Sequence, residues 1–250
     1  MKYSVKPGLL KLFTLSAGLL GLLLRLVLFS TAVDEKGLLM AGHWAGVSEW
    51  VLTGLVLVAV FGLTRVFHGS GTSRYDYPVS IGAGLGCLVL GGTILVSSIR
   101  SLANPPSSMA DLVCLILSFL TVIALLAIAV CRFAGAKPLF LLHGVLCAYF
   151  AISMVGQYQQ WSSDPQLQDY AFCLCAYLAL MLTAYHLAAF DASMGSHRSL
   201  WLMGLVAVYL CCLGLQCVTD APLLLAAGFW ALTNLTGMKG LTAAPPQEEV

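Results

Sequence analysis

Residues 112–131 read LVCLILSFLTVIALLAIAVC, a run without Asp, Glu, Lys, Arg or His that is closed by Asp111 on one side and Arg132 on the other. About 20 such residues are what a helix needs to cross a bilayer. Inside hydrocarbon the backbone must satisfy its own hydrogen bonds, so a crossing segment is either a helix or a strand of a closed barrel. The run shows no alternation of apolar and polar positions, which leaves the helix.

Working outward from this segment, eight apolar stretches lie at about 9–30, 47–67, 79–99, 109–131, 138–158, 168–190, 200–218 and 221–238. The expected fold is all-α: a polytopic integral membrane bundle of about eight transmembrane helices, forming one transmembrane domain over residues 1–250. Composition agrees, with 60% hydrophobic and 9% charged residues against roughly 25% charged in a soluble domain. At about 20 residues per crossing, eight helices take about 160 of the 250 residues. What remains is shared among two tails and seven loops, so no soluble domain is expected. That excludes a fused nucleotide-binding domain, an extramembrane enzyme domain and a DNA-binding module. The net charge of +1 gives no footing for nucleic acid.

Local signals mark several helix starts. Asp164 before Pro165, and Asp220 shortly before Pro222, read as N-caps with a first-turn proline. Ser107 or Ser108 after Pro105 and Pro106 suits the start of the fourth helix, and Pro138 the first turn of the fifth. Basic residues set the orientation, because cytoplasmic loops are enriched in Lys and Arg. With the N-terminus inside, Lys2, Lys6, Lys11, Arg65, Arg74, Arg132, Lys137, Arg198 and Lys239 are cytoplasmic, and only Arg25, Lys36 and Arg100 face outward. Both termini are therefore expected in the cytoplasm and the protein in the plasma (cell) membrane. A signal-peptide reading of the first stretch, with Ser30-Thr31-Ala32 as a cleavage site, is opposed by the length of the stretch and by Arg25 within it.

The third helix carries Gly82, Gly84, Gly86, Gly91 and Gly92. Gly82 and Gly86 make a GxxxG pair, which lets another helix approach closely and marks a surface for a membrane-protein partner beside the lipid bilayer itself. No GxGxxG spacing supports a nucleotide. The nine cysteines all fall within or beside apolar stretches, and no CxxC pair exists. They read as small core residues rather than a disulfide or zinc framework.

Ionisable groups at membrane depth are costly and thus candidates for function. Arg25 lies near the outer end of the first helix, where Asp34, Glu35 or Glu49 can meet it. His143 and His186 lie at similar depth near the cytoplasmic side, with Asp191 and His197 just beyond. Two histidines and a carboxylate suit a proton or solute site, since histidine titrates near neutral pH, or a transition metal. No HxxxH or HExxH spacing supports the metal, so no metal, other cofactor or catalytic residue is assigned. Outer acids and aromatics, among them His43, Trp44, Glu49, Trp50, Tyr158, Trp161, Asp169 and Tyr170, form either a cation-recognition surface or an interfacial belt with capped helix starts.

The binding candidates are thus His143, His186, Asp191, Arg25 and Glu49. No acid sits at the centre of a helix and no GxSxG occurs, which argues against a carboxylate-driven carrier and the common intramembrane hydrolases. The expected function is a small transporter or the membrane subunit of a transport complex. The alternatives are a membrane interaction protein, or a lipid-modifying enzyme using the His/Asp cluster.

Overall fold

A computed structural model describes residues 7–32, 42–66, 75–76, 79–103, 109–162, 167–216, 220–236 and 239–240. They form eight helices: α1 (Pro7–Thr31), α2 (Trp44–Val66), α3 (Ile81–Ala103), α4 (Met109–Ala134), α5 (Phe140–Trp161), α6 (Leu167–Asp191), α7 (His197–Gly214) and α8 (Ala221–Thr236). Seven are long and apolar enough to cross a membrane, and the chain is a polytopic membrane helix bundle. The eighth has 16 residues, about 24 Å at 1.5 Å per residue, and it too runs from one face to the other. At its start Asp220 accepts a hydrogen bond from Gln157 near the end of α5. At its end Asn234 meets Arg132 in the last turn of α4.

Helix α4 ends on the face where α1 begins, called the near face below, and α5 ends on the opposite, far face. A two-residue antiparallel pair of β1 (Tyr75–Asp76) and β2 (Lys239–Gly240) joins the α2–α3 connection to the chain after α8. Both lie on the near face.

Helices α3 to α8 close a ring of neighbours, each packed on the next and α8 on α3. Helix α8 also touches α6, and α7 carries α1 and α2 on its outer side. The ring is filled. The Phe150 ring lies 6.3 Å from Trp230 and 6.5 Å from Tyr177, among the fully buried Leu125, Leu146, Leu180 and Ala227. Apolar side chains also cover the outside, with Val58 71% and Val130 66% exposed. That inverts the soluble pattern and suits a hydrocarbon surround.

Small residues allow the tightest approaches. A Cβ on Gly18 would lie 2.9 Å from Cys212 Cβ, and one on Gly21 2.7 Å from Leu213, so α1 sits close on α7. A Cβ on Gly86 would stand 2.2 Å from Thr233 Oγ1 and 3.2 Å from Trp230 Cα, while Gly84 faces Phe133 of α4. The GxxxG expectation is thereby corrected. Gly86 is occupied by the chain's own α8, and Gly82, with nothing within 4 Å, is on open surface. The two do not form one docking stripe.

Other differences are local. Helix α3 continues through the polar Ser98 and Arg100 to Ala103, and α7 ends at Gly214, where Leu224 packs 2.7 Å from the position of a Cβ. Leu139 is the N-cap of α5, so Pro138 precedes the helix rather than opening its first turn. Asp34, Glu35, Ser107, Ser108, Asp164, Pro165 and Cys217 lie outside the described residues. The eight described cysteines are free thiols, with Cys87, Cys173 and Cys211 buried.

Candidate functional site

Of the three acids expected near Arg25, the described residues bring Glu49 to it. Arg25 of α1 donates from Nη1 to Glu49 Oε1 of α2 at 2.8 Å, with both side chains buried. The guanidinium also lies 4.9 Å from the Phe172 ring centre and 5.7 Å from that of Phe29, a cation–π setting that favours a delocalised cation. One turn along α2, Thr53 bonds the Glu49 carbonyl and the Tyr209 hydroxyl of α7, at 2.8 and 2.9 Å. This cluster ties α1, α2, α6 and α7 together below the far face.

On the near face, His143 Nδ1 of α5 and Asp191 Oδ2 of α6 are 2.5 Å apart, with both side chains wholly inaccessible. The turn that ends α6 sets the carboxylate in place. Ser193 adopts φ 63°, its N–H bonds Phe190 O, and Met194 N–H reaches back to Ala189 O, a Schellman closure. Lys137 Nζ donates to Ser193 Oγ at 2.7 Å. Gly195 lies flat on Phe190, where a Cβ would come within 2.5 Å of the ring.

In the neutral tautomer that donates Nδ1–H to the carboxylate, Nε2 of His143 carries a lone pair. It is buried and meets no hydrogen-bond partner among the described residues. Such an acceptor costs about 1–3 kcal/mol to leave unmatched. A carboxylate that fixes one ring nitrogen and leaves the other available is how a histidine is prepared to take a proton.

The other histidines do not join this pair. His186 is half-buried against the Tyr185 ring, 5.4 Å away. His186 and Asp191 are five positions apart, about 140° around a helix of 3.6 residues per turn, so only one of them can face His143. His197 Nε2 accepts from Trp201 Nε1 at 3.0 Å, beside Lys11, whose Nζ lies 5.0 Å from the Trp201 ring centre. The expected cluster is a dyad. Among the described residues no three His, Cys, Asp or Glu side chains converge as a metal ligand set.

Two buried polar residues were assigned other roles by the sequence. Arg132, counted as a loop charge, is 1% exposed; its Nη2 lies 3.3 Å from Asn234 Oδ1, and Ser80 N–H bonds its carbonyl. Asp220, expected as an N-cap, is 8% exposed. Its carboxylate receives Gln157 Nε2 at 3.2 Å, Cys173 Sγ at 4.0 Å and the Tyr177 hydroxyl. Burial pushes its carboxyl up to about 6. Their common signal is a polar residue in a terminal helical turn, which sequence alone does not separate from a solvated one.

A sparse polar line thus follows α5 and α6 through the bundle. It begins at His143 and Asp191, passes Tyr149, hydrogen-bonded to Ser153, and reaches Tyr177, Gln157 and Asp220. Leu146 and Phe150, both fully buried, interrupt it. The far-face aromatics pack in pairs, Trp50 on Phe172 at 4.7 Å and Trp161 stacked on Tyr170 at 4.3 Å, while Trp44, Trp50 and Tyr158 remain more than half exposed at the level of an interfacial belt.

The chain matches no known protein-family pattern, no curated protein and no solved structure.

Proposed function

We propose that the protein is a small membrane transporter, or the membrane subunit of a transport complex, in which the His143–Asp191 dyad gains and loses a proton during each cycle. One observation carries this reading: the fold buries a histidine beside a carboxylate and leaves Nε2 without a partner among the described residues. A histidine kept for packing alone would be served by an apolar residue of its size, without the desolvation of two polar groups. The polar line toward Asp220 supplies a direction, and Leu146 with Phe150 supply the barrier that a coupled carrier needs between its two faces.

The test uses purified protein in liposomes loaded with a pH-sensitive dye. An imposed potassium potential drives protons inward, alone and with panels of amino acids, sugars and metal cations in the lumen. Acidification faster than in empty liposomes, under at least one condition, is expected. Equal rates under all conditions overturn the proposal.

The filled ring around Phe150, Tyr177 and Trp230 favours a second reading, a membrane interaction protein. In that case a defined partner co-purifies in mild detergent while the liposomes stay silent.

A further inference from the structure

A groove of about 560 Å³ runs between α3 and the start of α8, within the 300–1,000 Å³ typical of small-molecule sites. Its lining changes character along its length. Ser97, Arg100, Ser101 and Asp220 border the far-face end, and Leu88, Val89 and Val96 continue it toward the middle of the bundle. From Leu88 to Arg100 the helix rises about 18 Å at 1.5 Å per residue, close to the roughly 15 Å of hydrocarbon in one leaflet. Arg100 is exposed. It makes no ion pair with Asp220, since the ion pairs among the described residues are Arg25–Glu49 and His143–Asp191. The groove therefore carries the exposed Arg100 at its polar end, with the mostly buried Asp220 on its border, above an apolar trough.

We propose that this groove holds one far-leaflet phospholipid with a primary-amine headgroup, its phosphate on Arg100 with the Ser97 and Ser101 hydroxyls, its ammonium at Asp220, and an acyl chain along Leu88, Val89 and Val96. Guanidinium and hydroxyl donors match phosphate oxygens. A primary ammonium donates N–H bonds to a carboxylate, which a quaternary choline cannot do. Gly92 keeps the trough open: it borders the groove, and a Cβ there meets nothing within 4 Å. A side chain at this position therefore starts out into the groove rather than into the protein. The proposal stands independently of the transport reading.

The experiment is native mass spectrometry of the full chain released from nanodiscs of phosphatidylcholine doped equally with phosphatidylethanolamine and phosphatidylglycerol. The wild type is expected to retain one phosphatidylethanolamine with a preference of at least about tenfold over either competitor. Asp220→Asn should erase the preference over choline lipid, and Arg100→Gln should abolish retention. Gly92→Phe should lose the retained lipid at an unchanged melting temperature, which separates occupancy from misfolding. Equal retention of all three lipids by the wild type overturns the proposal, as does full retention by Gly92→Phe. Binding of soluble glycerophosphoethanolamine as tight as that of the lipid overturns it too.

Discussion

Among the described residues two buried ion pairs stand out, one built on a guanidinium and one on an imidazole. Arg25–Glu49 lies between α1 and α2, with aromatic rings around the guanidinium, and one turn along α2 Thr53 links the Glu49 backbone carbonyl to the Tyr209 hydroxyl. His143–Asp191 lies between α5 and α6, equally dry, with one ring nitrogen that nothing described meets. The first pair joins the peripheral α1 and α2 beside Phe172 of α6. The second sits at the end of a polar line, with His143 Nε2 buried and without a hydrogen-bond partner among the described residues. Burial alone does not distinguish a charge that serves packing from one proposed to work. What differs between them is the cation: a guanidinium stays charged at every accessible pH, whereas an imidazole beside a carboxylate can take up and release a proton.

Breaking the first pair gives the largest expected effect. Glu49→Ala takes the buried carboxylate away from the Arg25 guanidinium and should cost up to about 3–5 kcal/mol, seen as a collapse of monodisperse yield or melting temperature in detergent. Replacing both partners, Arg25→Met with Glu49→Met, should recover most of that loss, because the desolvation cost goes with the charges. Failure of the double variant to recover would make the pair more than structural.

A smaller effect belongs to Asp220, which faces Gln157, Cys173 and Tyr177 and shares its groove with Arg100. Its carboxyl is raised to about 6, so the folded chain holds this proton more tightly than the unfolded one. Its contribution is full below the ordinary carboxylate range and is lost as pH rises from about 4 through about 6, at most about 3 kcal/mol. Thermal melts should decline across that window, and Asp220→Asn should flatten the decline. Next in size, Tyr209→Phe removes the bond to Thr53 behind the first pair and should cost about 1 kcal/mol in chemical unfolding. Least of all, Ser193→Gly relieves the left-handed φ beside Asp191 but gives up the exposed Lys137 bond to the Ser193 hydroxyl, so the net gain should stay below about 1 kcal/mol, measured as a small upward shift in melting temperature.

The helices were legible in the sequence because hydrocarbon imposes length and apolarity on every crossing, and LVCLILSFLTVIALLAIAVC at 112–131 satisfies both. Depth was legible as well, which placed His143, Asp191, Arg25 and Glu49 near the correct faces. Rotation about the helix axis was not. His186 shares the depth of His143 but points elsewhere, and Gly82 shares a motif with Gly86 but not its neighbour. In a chain apolar on all sides, hydrophobic periodicity cannot tell a lipid-facing stripe from a core-facing one, so azimuth is fixed only by packing. The same blindness hid Arg132 and Asp220, whose burial depends on Asn234 and Gln157 arriving from distant helices.

The contrast between the two pairs is tested most directly by potential-driven proton uptake into dye-loaded liposomes, under whichever luminal condition activates the wild type. Three proteins are compared: wild type, His143→Gln, and the Arg25→Met/Glu49→Met double variant, each checked for monodispersity before reconstitution. The His143 variant, which keeps a donor for Asp191 but no titratable ring, should fall to the rate of empty liposomes, while the double variant keeps the wild-type rate. Retained uptake in His143→Gln, or its loss in a well-folded double variant, would contradict the assignment of function to the His143–Asp191 pair.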